Sequence, residues 1–256
     1  MEMLFFLLML VATLALITMK FFAITGSFVI LKALASALFV ITGIVSYKTK
    51  KENKKYFIWI LLGLIFSFCG DVFLELNNTP KFLTLDLTHI KGVLFINGVG
   101  SFALAHIMYF IGFSTLRKVT LVDIVITIAI ASPMIFLELF GDFQFNGLQL
   151  VVIGYTILIS LMVSKAISLY KYYLRNKKAV IMTITGAMMF LVSDIILLFL
   201  LFSKGDFIEP DNLKYLEYSN LIIYYVGQGI LALSLGQKFS VRKKVNETRR
   251  LSNLVK

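Results

Sequence analysis

Eight apolar runs, at roughly Met3 to Met19, Phe21 to Ser46, Tyr56 to Leu76, Gly92 to Ser114, Val119 to Phe140, Gly147 to Tyr170, Ala179 to Ser203 and Tyr218 to Phe239, dictate the architecture. About 20 apolar residues span a hydrocarbon layer ~30 Å thick as a helix. Backbone groups inside lipid find no water, so only helices or a closed barrel satisfy them, and unbroken Leu/Ile/Phe runs without period-2 alternation select helices. The fold expected is therefore all-α and polytopic, with eight transmembrane helices over residues 1–240 and a basic tail at 241–256 that is too short to fold by itself.

The net charge of +11 is a topology signal more than a nucleic-acid footprint. Lys48, Lys50, Lys51, Lys54, Lys55, Arg117, Lys118, Lys171, Arg175, Lys177, Lys178 and the tail residues from Lys238 onward all follow even-numbered runs. The opposite loops mix a few lysines with Asp86, Asp206, Glu209, Asp211 and Glu217. The positive-inside rule then predicts that both termini are cytoplasmic, and anionic-lipid contact by the tail is a weaker reading of the same charges. The first run lacks the basic n-region of a secretory signal and is expected to remain a helix. The expected setting is a bacterial inner membrane, with membrane lipids and not nucleic acid as surroundings, and the oligomeric state is left open.

Two acidic residues stand deep inside these runs. Asp71 and Asp194 each lie about 22 Å above the cytoplasmic start of their helices at 1.5 Å per residue. A carboxylate at such depth costs at least ~2.5 to 3.5 kcal/mol, which makes each a functional candidate by default. Their surroundings repeat: Gly63, Asp71 and Leu74 recur at identical spacing as Gly186, Asp194 and Leu197, with small Gly70 and Ser193 just before the acids. A parallel duplication of four helices plus four is one reading; chance similarity between apolar sequences is the other.

Other polar groups fall at comparable depth. Lys32 is too deep to snorkel easily, so it is expected to pair with a buried carboxylate, either structurally or in a site. His106 and Tyr109 share a helix face; Asn97, with Ser101 one turn on, reads mainly as interhelical glue. Tyr225 and Gln228 bring a phenol and an amide into the last span, and Asp123, Glu138 and Asp142 read as boundary residues. Cys69 is the only cysteine, and His89 and His106 are the only histidines, so neither a cysteine cluster nor a three-histidine zinc site can be assembled. No GxSxG, Walker or HExxH motif occurs. The default is chemistry without metal or cofactor.

These residues, in order, resemble the YhhN family of lysoplasmalogenase-type membrane proteins: Lys32, Ser67 with Gly70-Asp71 and Leu74, then Gly98, Phe102, His106 and Tyr109, then Phe190 with Ser193-Asp194, and Tyr225 with Gln228. Ala33 stands where the family usually has proline, and Gly227 where it usually has alanine. The resemblance implies hydrolysis of the vinyl ether bond of a lysophospholipid, the lysoplasmalogen, to a fatty aldehyde and glycerophospho-ethanolamine or -choline. On that reading Asp71 and Asp194 are catalytic and share one dry chamber, one as proton-bearing acid and the other as anion. Lys32, Asn97, His106, Tyr109, Ser193, Tyr225 and Gln228 bind substrate or support the pair. The alternative is a proton-coupled transporter or lipid-binding protein that uses the same Asp and Lys groups.

Overall fold

The computed structural model describes residues 1–22, 28–51, 53–79, 81–82, 85–173, 177–204 and 210–239. The tail expected at 241–256 lies outside the described residues, as do 23–27; Phe21, where the second helix was expected to begin, ends the first one instead. Eight long helices make up nearly all of it: α1 Glu2–Phe21, α2 Phe28–Lys50, α3 Lys54–Asn78, α4 Lys91–Leu116, α5 Leu121–Phe140, α6 Gln149–Ser168, α7 Lys177–Phe202 and α8 Pro210–Ser234. A two-residue antiparallel ladder, Lys81–Phe82 with Leu85–Asp86, follows α3.

Seven of the eight are long and apolar enough to cross a membrane. The exception is α8, which starts at Pro210 rather than Tyr218 and ends at Ser234 rather than Phe239. Its opening turns carry Asn212, Lys214, Glu217 and Asn220, and the apolar part from Leu221 is short. The helix packs against α7, α2 and α1.

Six helices close a ring in the order α2, α3, α4, α6, α7, α8 and back to α2; α1 lies outside against α2 and α8, and α5 lies outside against α6. The main packing pairs match under a shift of four helices: α1/α2 with α5/α6, α2/α3 with α6/α7, α3/α4 with α7/α8, and α2/α8 with α4/α6. Small residues permit the two tightest interfaces. A Cβ on Gly63 of α3 would strike the Tyr109 ring of α4, and one on Gly186 of α7 would strike Leu231 of α8, so each pair of axes comes closer than larger side chains allow.

Asp123, expected at the membrane boundary, is buried. Its Oδ2 accepts the Thr120 N–H at 2.6 Å in a capping box that starts α5, and also meets the Lys165 ammonium at 3.1 Å. Lys165 is fully enclosed and donates its other close bond to the Lys118 carbonyl at 2.9 Å. The pair ties α5 to α6 at the bundle end where α4 finishes. Glu138 is likewise buried, at the opposite end of α5.

Candidate functional site

Asp71 lies 17 residues beyond Lys54 on α3, and Asp194 17 beyond Lys177 on α7, so both acids stand at the same level, about 26 Å along their helices. Both are nearly closed off from outside. Each has its own set of partners.

Around Asp71, Oδ2 accepts hydrogen bonds from the Ser36 hydroxyl of α2 at 2.6 Å and the Tyr224 hydroxyl of α8 at 2.7 Å. The Lys32 ammonium stands 4.0 Å from Oδ1 and 3.4 Å from Glu75, one turn along α3. Lys32 therefore pairs with two buried carboxylates, as its depth required. The Tyr225 hydroxyl joins this cluster, 3.2 Å from Ser36 Oγ and 3.3 Å from the Lys32 carbonyl.

Around Asp194, Oδ2 accepts the Tyr155 hydroxyl of α6 at 2.6 Å and lies 3.2 Å from His106 Nε2 of α4. Tyr155 also lies 2.9 Å from that nitrogen. With the tyrosine proton given to the carboxylate, Nε2 must carry the histidine's proton to complete either contact. His106 Nδ1 is buried without a partner. No described residue donates to Asp194 Oδ1, and Asp194 lines the neighbouring cavity.

That cavity, about 70 Å³, is an apolar slot between α4, α5, α6 and α7. Phe95, Val99, Met134, Val152 and Leu201 form much of its wall, with Asp194 and Tyr155 at one polar point and Glu138 and Thr156 at another. Asp71 does not line it; Leu74, one turn on, does.

The expectation that both aspartates share one chamber is therefore corrected to two adjacent clusters. No hydrogen bond or ion pair among the described residues joins them. The contact path runs from Asp71 to Tyr224, then Tyr224 to Phe190 with ring centroids 5.5 Å apart, Phe190 to His106 at 4.7 Å, and so to Asp194. The physical reason is the ring order: α4 and α6 on one side and α2 and α8 on the other separate α3 from α7, and the rings of Phe102, Phe190 and Tyr224 pack together.

The remaining expected residues divide as follows. Tyr109 donates to Gln228 Oε1 at 2.7 Å, and Gln228 donates to Ser67 Oγ at 3.2 Å, in a buried triangle that touches neither aspartate. Ser193 donates to Asn220 at 3.0 Å, clamping α7 to α8. Asn97 is exposed and outside the site, because Leu94, Gly98 and Phe102 occupy the buried stripe of α4 and position 97 falls off it. Tyr155 was missed. Its signal is spacing: Tyr155 precedes Asp194 by 39 residues, as Lys32 precedes Asp71. Among the described residues no group of three or more His, Cys, Asp or Glu side chains has an arrangement that could hold a metal ion.

A bundle of long apolar helices with carboxylates, a lysine and a histidine held in its interior defines a polytopic membrane protein with an intramembrane polar site. The YhhN family model matches residues 27–235, and the chain belongs to the YhhN family. No curated protein and no solved structure matches it.

Proposed function

We propose that this chain is a membrane hydrolase of the lysoplasmalogenase type, cleaving the vinyl ether of a lysophospholipid. The observation that carries the reading is Asp194: one carboxyl oxygen is held by Tyr155 and His106, and the other is left free beside an apolar slot. Protonated Asp194 gives its proton to the vinyl carbon distal to the ether oxygen. The C=C electron pair forms the new C–H bond, and the positive charge is shared between the other carbon and the ether oxygen. Water then adds to that carbon and returns a proton to Asp194, and the resulting hemiacetal breaks its C–O bond to release aldehyde and glycerol hydroxyl. Tyr155 and His106 hold the carboxyl in place, and the apolar wall excludes stray water.

Asp71 takes a different part. With Lys32, Glu75 and Ser36 it anchors the Tyr224 hydroxyl, whose ring packs on Phe190 and through it on His106. It is a positioning residue on this reading. α5 packs mainly against α6, so the side of the slot between α4 and α5 is the proposed lateral route for the alkenyl chain from the bilayer. The basic residues Lys48, Lys51, Lys54, Lys55, Arg117, Lys118, Lys171, Lys177 and Lys178 sit at the end opposite the slot's outer rim, which supports cytoplasmic termini. The matched helix pairs, with Asp71 held from α2 and α8 as Asp194 is from α6 and α4, support a duplicated four-helix unit.

The test is aldehyde release from a lysoplasmalogen by detergent-purified protein with a chelator present. Loss of release in Asp194→Asn, with the protein still folded, is expected; near-normal release would remove Asp194 as the acid. The Lys32, Asp71 and Glu75 triad, enclosed and away from the slot, favours a second reading as a proton-coupled transporter. Movement of substrate only in sealed vesicles, without aldehyde, would select it.

A further inference from the structure

Glu138 is 1% exposed, near the C-terminus of α5. The Thr156 hydroxyl donates to its Oε1, whereas Oε2 is buried with no partner. Protonation does not remove the orphan, because an O–H placed there has no acceptor either. A buried carboxyl oxygen without a donor is costly, and native structures rarely leave one without a reason.

Its location supplies a reason. Glu138 lines both the apolar slot that reaches Asp194 and a second recess of about 420 Å³. The recess is walled by Phe143, Phe145, Asn146 and Gln149, and Gln149 reaches back to the Glu138 carbonyl at 3.4 Å. Its lining therefore combines Glu138, whose carboxyl is buried, with two phenyl rings and amide groups. A carboxylate beside aromatic faces suits an alkylammonium, which brings N–H donors or a polarised methyl surface and is attracted by the rings. The first turn of α6 borders the same recess, and its N–H groups lack intrahelical acceptors, which suits a phosphate.

We infer that this recess binds the ammonium end of a zwitterionic lysophospholipid head group through Glu138, an assignment that rests on the lysophospholipid reading above. The distances agree with it. Gln149 and Tyr155 are six residues apart on α6, about 9 Å along the axis, which a glycerophospho-ethanolamine spans when its vinyl ether lies at Asp194.

The experiment uses 1-O-alkyl-lysophosphatidylethanolamine, whose saturated ether resists this chemistry, and the same lipid with a phosphoethanol head, which lacks the ammonium. Calorimetry on detergent-purified full chain is expected to give wild-type binding of the ammonium lipid about tenfold tighter or more. Glu138→Gln is expected to bind the two alike, and Asp142→Asn, which alters an exposed carboxylate nearby, to keep the preference. Equal binding of both lipids by wild type, or a preference retained in Glu138→Gln, overturns the proposal; the wild-type comparison decides the matter if the variant fails to fold. Aldehyde release from the vinyl ether form is measured separately. Its absence would defeat the hydrolase reading and leave the head-group result to stand or fall by itself.

Discussion

Tyr155 meets Asp194 from 39 residues upstream, the separation at which Lys32 faces Asp71. The two pairs are equally spaced but differ in chemistry, a phenol at 2.6 Å in one and an ammonium at 4.0 Å in the other. Asp194 is thus met by neutral hydrogen-bond donors, whereas Asp71 has an ammonium beside it.

Tyr155→Phe removes the shortest hydrogen bond to Asp194 while keeping the ring against His106. Stability should fall by about 1 kcal/mol. Aldehyde release should fall by roughly one to two orders of magnitude, the usual share of a positioned acid–base group. Stopped assays beside thermal melts of the purified variant check both numbers, and an unchanged rate would detach Tyr155 from the chemistry.

Lys32→Met leaves Asp71 and Glu75 buried without their shared cation. Such a loss typically costs about 3 to 5 kcal/mol. Adding Glu75→Gln should restore part of the stability, because one uncompensated carboxyl disappears. A double-mutant cycle in a detergent melt reads the coupling; strictly additive effects would show that Lys32 does not hold the two acids together.

The enclosed Lys165 and Asp123 pair stands at the end of the bundle remote from Asp194. Lys165→Met should lower stability by about 3 kcal/mol or more, since Asp123 is left desolvated and its Oδ1 already lacks a partner. Aldehyde release per folded molecule should stay near the wild-type value. A rate loss that exceeds the loss of folded protein would give this pair a part in catalysis.

Gly63→Ala should destabilise by about 1 to 3 kcal/mol, because the new methyl meets the Tyr109 ring that also holds Gln228. Gly100→Ala on α4 has open space and should be neutral or slightly stabilising. Comparing the two melts separates steric contact from helix propensity.

The helices were legible because lipid makes hydropathy almost the only variable; α8 was misjudged at both ends because its first turns are polar, with Asn212 and Lys214 exposed, and hydropathy does not mark such turns. Asp71, Asp194, Lys32 and His106 announced themselves by polarity at depth. Glu75 and Glu138 did not, since a carboxylate near a span's end is usually solvated, and only the tertiary packing closes over these two. Tyr155 was hidden because tyrosine is common near membrane surfaces. Asn97 looked like glue until the burial stripe of α4 excluded it. The assumption of a single chamber failed for a topological reason: equal depth on two helices says nothing about which helices stand between them.

The aromatic path from Tyr224 through Phe190 to His106 has a further consequence. Benzene faces offer no lone pair and no exchangeable hydrogen, so they cannot form part of a Grotthuss relay. The Phe190 ring therefore passes no proton between the two acids, and on the proposed hydrolase reading a proton that Asp194 spends is regained from water or substrate on its own side of that wall.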